Sequence, residues 1–447
     1  MTRAENRRAV LRGLLTLAAP TIAQQILGTL LQYVDTAMVG HLGEEATAAV
    51  SMSTSVNWLV GSIPGAVAVG CLTLLSQSLG LGDRERMRRV SALTVRLALL
   101  VGLALTAACL GVSPFLSAWM QTDPAIRREA GAYFFIVSVP VFFSSAAAFF
   151  GTALQAVKDT RTPMRIHLFC NVLNAALNYA LIYAAGLGVY GAAIATAVAR
   201  LLSGVGMYLA FRRKEALRVT ARDIRQHDWP LLGAHLRIAL PMLGTTVVSC
   251  LGYIVFARMV NGMGVTVFAA HAIAITAEEI FYLPAYGLRT ASSTLIGVAV
   301  GEGNRQKFRD TRNLSLGVTV LLMTASGLIL YRAAEPLMRV FTSSEHVIAI
   351  GARLLRIVAF SEPCFGLMIA WEGVSYGTGR TRSVFVIESF SMWCIRILFT
   401  WLCIHRWGLG IEAVWYCMVA DNVFKALALT ACGLTESKMG LSQNVSF

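Results

Sequence analysis

Apolar residues along this chain gather in blocks of about 20 or more, the length a helix needs to cross the hydrocarbon core of a bilayer. The blocks lie near 14–39, 47–78, 90–112, 131–156, 163–185 and 188–211. After a polar stretch, six more follow near 235–260, 267–299, 313–331, 350–377, 383–405 and 408–432. The pattern predicts an all-α integral membrane fold of twelve transmembrane helices. Pro64, Pro140, Pro241, Pro284 and Pro363 fall inside blocks. Membrane helices tolerate them there when neighbouring groups satisfy the freed backbone.

An internal repeat organises these blocks. Pro20 recurs as Pro241, Gly43 as Gly264, Gly82 as Gly303 and Arg161 as Arg382, each 221 positions on. With one extra residue, the turn Gly186-Leu187-Gly188 recurs as Gly408-Leu409-Gly410. Six spans per half is an even number, so both halves enter the membrane in the same direction. The expected arrangement is two six-helix lobes related by a pseudo-two-fold axis along the membrane normal. Its expected parts are an N-lobe over 1–211, a cytoplasmic linker over 212–234 and a C-lobe over 235–447. Two such lobes facing a central cavity are the usual architecture for alternating access.

Composition removes the soluble alternative. Hydrophobic residues make up 56% of the 447 and charged residues only 14%, with mean hydropathy +0.64, whereas soluble domains carry nearer a quarter charged. The net charge of +14 would suit nucleic acid, but its distribution does not. Basic residues concentrate in alternate loops, as at Arg84, Arg86, Arg88 and Arg89 or Arg212, Arg213 and Lys214; 25 of the 38 fall on that one face. By the positive-inside rule both termini are expected in the cytoplasm, and no nucleic-acid partner is expected. The nine cysteines lie mostly within spans, lack metal-ligand spacing, and read as membrane-buried thiols. No signal peptide is expected. A phosphate-binding Gly-Lys-Ser/Thr loop, a His/Cys cluster and a nucleophile elbow are all missing from the sequence. Neither an enzyme nor a cofactor is therefore expected, and energy would come from an ion gradient.

Ionisable residues within spans are costly and mark function by default. Asp35, in LLQYVDTAMVG, has no basic residue one helical turn away. A carboxyl poised there can bind and release a proton, or hold Na⁺ when ionised; the competing reading is a packing role. The repeat places Phe256 at the matching position, so the carboxylate belongs to one half and not to the fold. Asn174 and Asn178 share a helix face with Asn171 nearby, and Thr196 adds a hydroxyl at similar depth. Such oxygens suit a monovalent cation or a proton relay, and equally serve as interhelical hydrogen-bond glue. In the second half, Glu278 and Glu279 stand beside Phe281, Tyr282 and Tyr286, a set that suits an organic cation by charge and cation–π attraction. Asn57 and Trp58 on the second span are further candidate substrate contacts. Arg396 and Asp421 read as an intramembrane ion pair holding two helices.

Several segments carry a family resemblance: APTIAQQILGTLLQYVDTAMVGHLGEEATAAVS, LQAVKDTRTPM, NVLNAALNYALIY and LPAYGLRTASSTLIGVAVGEGN. Over nearly its whole length the chain resembles the multidrug and toxic compound extrusion (MATE) transporters of the flippase-like exporter superfamily. The resemblance implies a cytoplasmic-membrane exporter of organic cations or xenobiotics, driven by H⁺ or Na⁺ antiport. Asp35 matches the family's first-helix coupling carboxylate, and Asn174, Asn178 and Thr196 match the rest of that cation site. Asn178 stands where some members carry Asp, so one carboxylate serves where those have two. Glu278 matches an eighth-helix carboxylate of many bacterial members, while Ser249 stands near where others place a seventh-helix Glu. The expected partners are a small organic cation and the bilayer, with the protein a monomer. The alternatives are a lipid-linked saccharide flippase of the same superfamily and, from a different class, a membrane-embedded lipid-processing enzyme.

Overall fold

The computed structural model describes residues 3–120 and 122–438. Among them only helices and their connections occur. The first half contains α1 (Arg3–Gly40), α2 (Glu44–Ser51), α3 (Thr54–Leu81), α4 (Arg84–Trp119), α5 (Arg127–Ser138), α6 (Val141–Ala156), α7 (Arg161–Asn178) and α8 (Gly188–Arg213). A short α9 (Ala221–Arg225) precedes α10 (Trp229–Asn261), α11 (Val265–Gly301), α12 (Arg305–Phe341), α13 (Glu345–Ala359), α14 (Glu362–Thr378), α15 (Thr381–Phe390), α16 (Leu398–Trp401) and α17 (Ile411–Lys438). Ten stretches are long and apolar enough to cross a membrane, and two bent pairs bring the number to twelve. The chain is a multi-pass membrane protein with the expected twelve-helix fold.

Two of these prolines stand at breaks where a continuous span was expected. The fourth span breaks between α5 and α6 at Pro140 with a bend of 41°, and the tenth between α13 and α14, just before Pro363, with a bend of 52°. Proline lacks the N–H that would bond back one turn, and its ring crowds the preceding carbonyl. Pro64, Pro241 and Pro284 remain inside continuous helices. Pro140 maps by the 221 offset onto Ser361, two residues before Pro363, so the bend recurs although the proline has moved.

The backbone repeats the offset in its angles. Gly43 and Gly264 have φ of 111° and 113°, and Gly82 and Gly303 of 68° and 63°. Gly379, with φ 79°, closes α14, whereas its first-half counterpart is Lys158 at φ 65°. A side chain in that left-handed region costs about 1–2 kcal/mol, which glycine avoids. The turn therefore belongs to the fold strongly enough to be imposed on a lysine.

Contacts divide the chain into one unit of Met1–Ile22 with Arg237–Phe447 and a second of Ala23–Leu236. These differ from the boundaries at 211 and 235 drawn from the repeat. The start of α1 leaves the first half because Leu14, Leu17 and Ala18 pack with Leu288, Ala291 and Leu295 of α11. Thr21 also donates to the Gly287 carbonyl at 3.1 Å. The segment after α8 stays with Ala23–Leu236. Lys214 pairs with Asp159 at 2.8 Å, Arg88 with Asp223 at 3.3 Å and Arg89 with Asp228 at 3.2 Å, and Leu217 is fully buried.

Asp159 also accepts from the Thr162 backbone N–H and hydroxyl, both at 3.1 Å, at the start of α7. Burial alone would push this carboxyl up, but the bonds from Lys214 and Thr162 outweigh it and hold Asp159 below its ordinary range. Its contribution to stability is thus present at neutral pH and lost as pH falls through the lowered value. Asp159→Asn is expected to cost about 1 kcal/mol. Thermal unfolding in detergent should show a lowered midpoint at pH 7, with the gap from wild type closing in acid.

Candidate functional site

Asp35 lies near the end of α1, half-buried, where the helix approaches the junction of α7 with a widened turn over Tyr179–Ala184. That turn bonds five residues back, Ala185 N–H to the Ala180 carbonyl at 2.9 Å. Such π-turns insert a residue and re-aim the helix face. Asn178, fully buried as the last residue of α7, donates its Nδ2 to Asp35 Oδ1. Tyr183 of the same turn donates to the Met38 carbonyl at 2.9 Å and ties it to α1. Val39, Tyr133, Val137, Ile182 and Ala193 pack into a core beside the pair.

No cation pairs with Asp35 among the described residues. Arg200 of α8 instead donates to the Val137 carbonyl at 2.9 Å, and stands within electrostatic reach of Tyr133. The Asn178 Oδ1 is buried with no partner. This arrangement can serve both states of the carboxyl. Ionised Asp35 takes the amide N–H; after a half-turn of the amide, Oδ1 would accept the hydroxyl of protonated Asp35. It would equally offer a second oxygen to a hard cation such as Na⁺, which prefers oxygen ligands. Asn174 and Thr196 are half-buried, and no hydrogen bond joins either to Asp35 among the described residues. Asn171 lies against α1, its Nδ2 3.8 Å from where a side chain at Gly28 would begin.

The second half pairs several of its span charges. Arg289 meets Glu372 at 2.5 Å, and the Tyr376 hydroxyl donates to the same carboxylate at 3.2 Å. Arg396 and Lys425 both hold Asp421, at 2.9 and 3.0 Å, and Ser391 donates to it at 2.5 Å. Ser391 and Arg396 ride a second π-turn, Ser391–Ile397, whose counterpart in the first half, within α7, is ordinary α-helix. The Arg396–Asp421 pair is thus one arm of a three-charge cluster. The four-residue spacing of Asp421 and Lys425 carried the missing signal.

Glu278 is buried with Glu362 and Arg396 in electrostatic reach. Tyr282 and Tyr286 pack edge to face, their centroids 5.9 Å apart, and both meet Phe365. The Tyr286 face is covered by Arg289 at 4.7 Å, so the chain's own cation takes a surface expected for an organic cation. Glu279 is half-buried. Asn57 makes a local bond to Ser53 Oγ at 3.2 Å, and Trp58 is 53% exposed. No described hydrogen bond gathers these two around Asp35. Phe256, the repeat counterpart of Asp35, lies under the Arg396 guanidinium at 5.9 Å. Where the first half puts a carboxylate, the second puts a cation over a ring.

The MatE family model matches residues 20–180 and 241–402, one segment in each half. The chain is 28% identical over 419 residues to the probable multidrug resistance protein NorM of Thermotoga maritima, covering 92% of this chain and 90% of that protein. It is 24% identical over 433 residues to human multidrug and toxin extrusion protein 1, covering 94% of this chain and 74% of that one. Among solved structures, an outward-facing multidrug resistance MATE family transporter of the MOP superfamily superposes with a TM-score of 0.92 at 20% identity, over 99% of both chains. A MOP superfamily transporter from Pyrococcus furiosus, described by the reverse polarity of its binding pocket, superposes at 0.91 and 20% identity, over 97% of both.

The charge cluster has a measurable consequence. Asp421→Asn leaves Arg396 and Lys425 buried side by side without their carboxylate, and is expected to cost about 3–5 kcal/mol. Thermal unfolding in detergent should show the loss, and Asp421→Glu should recover part of it.

Proposed function

Because the chain belongs to the MatE family, we propose that it is an exporter of organic cations and xenobiotics. In this reading it works by alternating access in the cytoplasmic membrane, as a monomer with both termini inside, and is driven by H⁺ or Na⁺ moving the other way. The observation that carries the coupling is the Asp35–Asn178 pair: a membrane carboxylate whose one described hydrogen-bond partner is a neutral amide with an unfilled oxygen. Unlike Glu372 and Asp421, Asp35 has no salt-bridge partner among the described residues, so its charge remains available for an incoming ion. Proton or Na⁺ binding at Asp35 would change the hydrogen bonding of Asn178 and, through the Tyr183–Met38 bond, the end of α1. Asn174 and Thr196 supply further oxygens on neighbouring turns. In the second half Glu278 is the proposed contact for a cationic substrate, with Glu279 and Tyr282 in supporting positions; Asn57 and Trp58 are proposed contacts within the first half.

The names of the relatives support export of drugs over hydrolysis or synthesis. The saccharide flippase reading asks for free cations to meet a pyrophosphate. Three of the basic residues within spans, Arg289, Arg396 and Lys425, are instead each held by an acid and Arg200 by a carbonyl, which favours the drug-exporter reading.

Reconstitution in liposomes tests this directly. Efflux of a fluorescent organic cation is followed under an imposed pH gradient and, separately, an imposed Na⁺ gradient. One gradient is expected to drive transport, and Asp35→Asn is expected to lower that driven rate about 5- to 150-fold, the scale of 1–3 kcal/mol of coupling. Full gradient-driven efflux by Asp35→Asn would refute the coupling role. Transport under neither gradient would turn the reading toward a lipid-linked substrate.

A further inference from the structure

Two thiols lie outside everything described so far. Cys403 and Cys417 approach each other with their sulfurs 3.8 Å apart. Both are buried, at 7% and 8% exposure, and both are free thiols in this structure. Cys403 sits in a third π-turn, Leu402–Arg406, at the end of the eleventh span, and Cys417 in the second turn of α17.

The π-turn is what brings them together. Trp407 N–H bonds to the Leu402 carbonyl at 3.0 Å and Leu409 N–H to the Cys403 carbonyl at 2.8 Å. The first half makes the same two bonds 222 residues earlier, from Ala185 to Ala180 and from Leu187 to Leu181. By that register Cys403 corresponds to Leu181, and Cys417 to Ala195. The same backbone is built in the first half without either sulfur. The fold does not require the thiols, and their meeting is a property of this end of the second half.

We propose that Cys403 and Cys417 are a redox-active thiol pair, converted to a disulfide by a disulfide-bearing oxidant. One cysteine, as its thiolate, attacks the S–S bond of the oxidant, forms a mixed disulfide and expels one oxidant thiol. The second cysteine thiolate then attacks the protein sulfur of that mixed disulfide, expels the second oxidant thiol and closes the bond. Two electrons pass from the pair to the oxidant, and the two protons leave the cysteines for the two released thiols. The sulfurs need only draw in from 3.8 Å to the bonded length of about 2.05 Å. The turn at Gly408 follows at the end of the span away from the basic loops. On the topology expected from loop charge this is the outer face, where oxidising conditions let disulfides persist. The bond would tie the eleventh span to α17 two residues beyond Trp415, whose indole N–H donates to His271 at 3.1 Å.

The sequence makes the product easy to detect. Trypsin cutting after Arg396, Arg406 and Lys425 releases 397–406 and 407–425, which carry Cys403 and Cys417 as their single cysteines. The full-length protein in detergent is treated with dithiodipyridine, an apolar disulfide suited to membrane-buried thiols. It is then denatured, blocked with N-ethylmaleimide and digested. Mass spectrometry is expected to find 397–406 joined to 407–425 in most of the recovered material. The joined species should vanish after dithiothreitol and be missing from Cys403→Ser and from Cys417→Ser. Recovery of the two peptides separately, each bearing its own pyridyl or maleimide adduct, would overturn the proposal. So would a linkage of either peptide to a different cysteine.

Discussion

Charge compensation inside the hydrocarbon layer is the constraint from which most of this structure's polar organisation follows. Water is absent there, and an ionised side chain is stable only beside an opposite charge or a set of well-aimed dipoles. The second half meets this demand with Arg289 and Glu372, and with Arg396 and Lys425 on Asp421. Tyr376 and Ser391 supply hydroxyls to the remaining carboxylate lone pairs. Among the described residues, the first half answers at Asp35 with the Asn178 amide. The two halves thus differ: the second holds Glu372 and Asp421 in ion pairs and keeps Glu278 and Glu362 buried, whereas the first sets Asp35 against an amide.

The helix irregularities serve the same end. The π-turn after Asn178 lies beside the Asp35 contact, and the one over Ser391–Ile397 carries both Ser391 and Arg396 toward Asp421. A regular helix places every fourth residue on a face, whereas a widened turn lets residues five apart converge. The bends at Pro140 and before Pro363 likewise occur in corresponding places of the two halves. Their recurrence with different local sequence marks them as properties of the packing, with proline adapted to a break that packing favours.

The exchange of helix starts has a similar origin. Residues up to Ile22 pack with the second half, and residues up to Leu236 with the first. In each case the reason is local: an apolar stripe of α1 meets α11, and the segment after α8 is held by ion pairs to Arg88, Arg89 and Asp159. Neither choice is visible in a linear repeat, which records where a helix begins but not which neighbour receives its face.

The spans, the duplication and the isolation of Asp35 were legible in the residues themselves. Each rests on a local quantity: apolar length against bilayer thickness, a constant offset, or a charge with no partner one turn away. The Arg396–Asp421 pairing was legible as a complementary pair of rare intramembrane charges. The addition of Lys425 was legible too, in its four-residue spacing from Asp421. Three features were decided only in three dimensions: that Arg289 takes Glu372 and covers Tyr286, that Asn178 and not Asn174 or Thr196 reaches Asp35, and that two of nine cysteines meet. Such partners are chosen by how each helix is rotated against its neighbours, and beside Asn178 and at Cys403 that rotation is reset by a π-turn, which leaves no mark in hydropathy.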